Sequence, residues 1–139
     1  MILLDSGGLF AALNRAESTY EAARSVIERE PGPHILSPFV LAELDYLLST
    51  RGSLDTELTL LEDVAQGVYT LAPFDAADVR TAIDVIERYR DHHIGLADAS
   101  IVVLAERHDT NRVLTLDERH FRTLRTAAGK PFELLPADA

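Results

Sequence analysis

Apolar residues fall along this chain in two kinds of run. Met1–Leu4, His34–Leu36, Val68–Ala72, Arg112–Leu116 and Phe132–Leu135 are short and nearly unbroken, as strands buried on both faces are. Between them lie longer amphipathic segments, predicted as helices over 6–14, 17–30, 38–50, 53–66, 76–90, 97–108 and 118–125. The punctuation agrees. Pro31-Gly32-Pro33 breaks the chain, Ser37-Pro38 offers an N-cap serine with proline at the first helical position, and Gly52 stops that helix. Ser53 caps the next helix, and Gly67 ends it.

Strands separated by one or two helices need crossover connections, and therefore a parallel sheet. The prediction is an α/β fold: a three-layer α/β/α sandwich around a mainly parallel sheet of about five strands. Residues 1–135 form one domain, and residues 136–139 are a short, loose tail. No internal repeat or linker interrupts it.

Four acids break this pattern. Asp5 ends the first apolar run, and Asp117 closes the run Val113–Leu116. Both would lie at carboxyl ends of strands, where open parallel sheets bind ligands. Asp98 opens the nearly all-apolar helix 97–108. Glu43 has Phe39, Val40, Tyr46 and Leu47 as its helical neighbours, so it is set in an apolar stripe. Each has a plainer explanation: caps for Asp5 and Asp117, a helix-dipole contact for Asp98, a snorkelling side chain for Glu43. Together they suggest a site, because clustered carboxylates raise one another's pKa unless a cation intervenes. Mg²⁺ and Mn²⁺ favour oxygen ligands, and such ions drive phosphodiester hydrolysis. Ser6 and Thr115, beside the acids, could orient a carboxylate or a water, or cap a turn.

Composition narrows the classes. The net charge of −10 argues against a non-specific nucleic-acid binder. The charge is uneven: residues 107–130 hold six basic and three acidic groups, and the rest hold seven basic and twenty acidic. A basic last quarter could steer a polyanion, or form a solvated helix face. The lack of cysteine excludes thiolate chemistry and disulfides. The five histidines show no ligand spacing, so surface or capping roles are expected for all of them. No apolar stretch reaches the roughly 18–20 residues of a membrane span, and no signal peptide is recognisable, so a cytoplasmic location is expected.

Leu4-Asp5-Ser6, the mid-helix Glu43, Gly95-Leu96-Ala97-Asp98-Ala99 and Thr115-Leu116-Asp117-Glu118-Arg119-His120-Phe121 together resemble the PIN-domain family. In order, spacing and length they are most similar to VapC-type toxin ribonucleases of bacterial toxin–antitoxin systems. The resemblance covers essentially the whole chain. It implies a Mg²⁺- or Mn²⁺-dependent endoribonuclease. It also implies that Asp5 and Asp98 are the firmest metal ligands, with Glu43 beside them and Asp117 more remote. It further implies an RNA substrate, a homodimer and a cognate antitoxin that blocks the site. Two positions depart from the pattern. Gly7-Gly8 replaces a bulkier helix former, which points to a late start of the first helix. His120 stands where many members have another aspartate.

Rival readings fare worse. A receiver domain would need an acidic pair after the first strand, and a haloacid-dehalogenase-like phosphatase a second aspartate where Gly7 stands. A catalytically silent PIN-fold binding module, or a nuclease acting on DNA, are the alternatives that metal-dependent cleavage assays separate. The first half also carries more apolar positions than one sheet face hides, among them Phe39, Leu47, Leu58 and Leu61. A groove between its helices would take a partner's amphipathic helix.

Overall fold

The computed structural model describes residues 1–139. The elements run β1 (Ile2–Leu4), α1 (Ser6–Leu13), α2 (Tyr20–Arg29), β2 (His34–Leu36), α3 (Pro38–Arg51), α4 (Leu54–Ala65), β3 (Thr70–Leu71), α5 (Ala76–Arg88), α6 (Leu96–Arg107), β4 (Arg112–Leu114), α7 (Glu118–Phe121) and β5 (Glu133–Leu135). All strand pairs are parallel, in the order β3-β2-β1-β4-β5. The central strands β1, β2 and β4 are almost wholly buried, which is why they read as unbroken apolar runs. The buried apolar residues form one continuous core.

Several boundaries differ from expectation for physical reasons. The third strand is only Thr70–Leu71, at the sheet edge, because Val68 is exposed and has no face to bury. The second helix starts at Tyr20: Asn14 accepts the Ala16 and Glu17 amides and holds the preceding residues as a turn. A 3₁₀ turn over Arg90–His92 follows α5 and leads to His93 in the left-handed region.

The first helix does not start late. It begins at Ser6, and its glycines differ in purpose. A Cβ on Gly8 would lie 2.5 Å from the Leu114 carbonyl oxygen, so only glycine lets α1 settle against the end of β4. Gly7 has open space around it. The last residues are held as well: Asp138 receives both terminal nitrogens of Arg122 and the Leu134 amide. No helix is long and apolar enough to cross a membrane.

Candidate metal-binding active site

The chain leaves β1 toward β2 and later returns on the other side of β1 as β4. That reversal opens a crevice beyond the carboxyl ends of the two strands. Asp5 follows β1 directly, and Thr115 and Asp117 follow β4. Asp98 enters the same crevice from the first turn of α6, and Glu43 approaches from α3.

Asp5 is 6% exposed, and its side chain does not cap α1. Its Oδ2 accepts a 2.7 Å hydrogen bond from the Thr115 hydroxyl. The Thr115 oxygen in turn accepts the Asp117 amide at 2.9 Å, so one threonine ties the two strand ends together. Burial pushes the Asp5 carboxyl up to about 6; the Thr115 hydrogen bond opposes the rise, and the charges of Asp98 and Asp117 add to it. Asp98 is also raised, first by burial and then by Asp117 and Glu43, against the opposing effect of His120. The four acids therefore share one electrostatic field.

Asp117 serves two purposes. Its Oδ1 caps α7 by accepting the His120 amide at 3.0 Å, and its Oδ2 lies 2.9 Å from His120 Nδ1. The same Nδ1 is 3.5 Å from Asp98 Oδ2. His120 is thus a site residue and not the surface or capping histidine expected for it. The available signal was its i+3 spacing from Asp117, which brings both onto one turn of α7.

Glu43 departs from the argument that singled it out. The buried stripe of α3 is Val40, Leu44 and Leu48, and Glu43 lies exposed beside it, near the exposed Tyr46. Its Oε1 accepts a 3.0 Å hydrogen bond from Ser6, the residue next to Asp5. It reaches the crevice without the burial cost expected of it.

Half of the basic residues of 107–130 are committed elsewhere. Arg112 pairs with Glu30 and Glu133, Arg107 with Asp78, and Arg122 with Glu118 and Asp138. Arg119, beside the acids on α7, is exposed and makes no ion pair.

No three of the acidic and imidazole groups converge as a preassembled metal cage. The donor set nevertheless suits a hard divalent cation. It consists of carboxylate oxygens, and the most buried of them, on Asp5, has the Thr115 hydroxyl and the Ser6 amide but no cation for compensation.

The family model for the PIN domain matches residues 2–126. Ribonuclease VapC26 of Mycobacterium tuberculosis is 40% identical over 135 residues, spanning 97% of this chain and all of that protein. Among solved structures, M. tuberculosis VapC20, described as a sarcin–ricin loop cleaving toxin, matches with a TM-score of 0.78 at 17% identity, over 84% of this chain and 90% of its own. FitAcB from Neisseria gonorrhoeae matches with a TM-score of 0.68 at 22% identity, over 96% and 97% of the two chains. VapBC2 from Rickettsia felis, bound to a DNA fragment from its promoter, matches at 0.66 and 18% identity, over 96% and 98%. At these identities the three solved structures show a common fold.

Proposed function

This chain belongs to the PIN-domain family, and from that membership we propose that it is the ribonuclease toxin of a toxin–antitoxin pair, hydrolysing RNA phosphodiester bonds with Mg²⁺ or Mn²⁺. The main support is the linkage at the crevice: Thr115 joins Asp5 to Asp117, His120 spans Asp117 and Asp98, and Ser6 holds Glu43. RNA is favoured over DNA because the 40% identical relative is a ribonuclease.

In this reading Asp5 and Asp98 would hold the ion, with Glu43 and Asp117 as further candidate ligands. The ion supplies polarisation of the phosphoryl group and activation of water. The residues do the rest. Thr115 fixes one oxygen of Asp5. Burial of Asp5 keeps competing solvent from that side. Glu43, exposed and steadied by Ser6, is placed to orient an incoming water or take its proton. Attack at phosphorus expels a ribose oxygen, and no covalent enzyme intermediate is needed. Arg119 offers a charge to the scissile strand's phosphates.

Partners follow from the same reading. A cognate antitoxin and a second copy of the chain are proposed to cover apolar surface. Of the positions expected to exceed the core, Leu44, Leu48 and Leu60 are buried, but Leu58 and Leu61 are exposed, as are the nearby Tyr46 and Leu54. The test is cleavage of an RNA pool by partner-free protein. Mg²⁺ or Mn²⁺ should permit cleavage, EDTA should abolish it, and Asp98→Asn should lose at least about 100-fold in rate while keeping its fold. Unchanged cleavage by Asp98→Asn would remove the metal assignment, and an intact RNA pool under every metal would remove the nuclease.

A further inference from the structure

Beside the crevice stands a large aromatic ring that the fold does not use. Tyr46 is 67% exposed and pairs with no other aromatic ring of the chain. It lies three residues on from Glu43 along α3, so the two are neighbours on the helix surface. An open pocket of about 500 Å³ is lined by Ser6, Ala42, Glu43, Tyr46 and Leu47. Its polar wall is shared with the crevice, because Ser6 donates to Glu43 there. Its remaining lining is apolar or aromatic, and Leu47 packs against the core, which fixes that side.

Resting on the ribonuclease reading above, we propose that this pocket takes a nucleobase adjoining the scissile phosphate, with Tyr46 stacked on its face. Every base has a π-face, and unstacked RNA bases settle on aromatic side chains. A tyrosine ring is rigid and amphipathic, so it gives much contact for little lost freedom. Glu43 is the pocket's only charged group. A carboxylate there repels a phosphate and accepts hydrogen bonds from a base's amino group, so it is the base that enters. The base's own phosphate is then held at the edge of the carboxylate crevice. A partner's helix fits less well: the exposed Leu54, Leu58 and Leu61 that it would cover lie on α4, and none of them lines this pocket. The stack makes Tyr46 a specificity residue, favouring RNA whose base at that position is unpaired.

The experiment uses the full chain with Mn²⁺. Sequencing the fragments of a cleaved RNA pool gives the cut site. A short single-stranded oligomer of that sequence is then made with each nucleotide flanking the cut replaced in turn by an abasic one. One of these replacements should lower kcat/KM about tenfold or more in the wild type. Tyr46→Ala should lose a similar factor on the intact oligomer and little more on that abasic one, whereas Tyr46→Phe should match the wild type. A merely structural role would depress both substrates equally. Losses that simply multiply in the alanine–abasic combination would overturn this inference alone. So would wild-type cleavage by Tyr46→Ala accompanied by a change in the mass of the assembly, which would assign the ring to a protein interface. An RNA pool left intact by the wild type would overturn it together with the ribonuclease reading.

Discussion

Asp5→Asn should stabilise the metal-free protein, increasingly so as the pH rises. The Asp5 carboxyl titrates at about 6 in the folded chain and at its ordinary 3.8 in the unfolded one. A folded-state pKa above the unfolded value means that the native state binds the proton more tightly. The penalty is therefore absent below the unfolded value, grows between the two, and is complete above the folded one. At about 1.4 kcal/mol per pH unit, the gap corresponds to about 3 kcal/mol at pH 8, with roughly half of that present by pH 5. Asparagine removes the charge yet still accepts the Thr115 hydrogen bond through its carbonyl. Urea unfolding in EDTA at pH 4, 5, 6.5 and 8 measures the difference. The variant should match the parent at pH 4 to within about 1 kcal/mol and exceed it by about 3 kcal/mol at pH 8. Mn²⁺ should then stabilise the parent far more than the variant. Stability curves that run parallel from pH 4 to 8 would refute both the buried charge and its cause.

Two other substitutions test the frame around the site. Gly8→Ala places a methyl 2.5 Å from the Leu114 carbonyl and should lose about 1–3 kcal/mol in thermal or chemical unfolding, whereas Gly7→Ala, with open space around it, should gain about 0.5–1 kcal/mol. Thr115→Val removes the hydroxyl shared by Asp5 and Asp117; calorimetry should show weaker Mn²⁺ binding and a stability loss of about 1–3 kcal/mol, both restored by Thr115→Ser.

The strands were legible because the central ones are buried on both faces, which leaves an apolar run with little room for ambiguity. The edge was not: β3 buries so little that neighbouring apolar residues extended it on paper. Nor could the reversal of strand order beside β1 be read, because it depends on how distant strands pair. At the site, Asp5, Asp98 and Asp117 were visible as carboxylates at the margins of apolar runs. Glu43 was selected on a premise that the fold does not meet, since its apolar neighbours include the exposed Tyr46. His120 was passed over because spacing was sought among histidines, and its partners are aspartates on α6 and at the start of α7.

The Thr115–Asp5 hydrogen bond spans 110 positions of sequence. A ribosome adding roughly 5–20 residues per second needs several seconds to go from Asp5 to Thr115. Throughout that interval the nascent chain carries its most buried acid without the strand that orients it. A crevice bounded by β4 therefore forms only after that strand has been made. The carboxylates are brought together only once Thr115 and Asp117 have joined the chain.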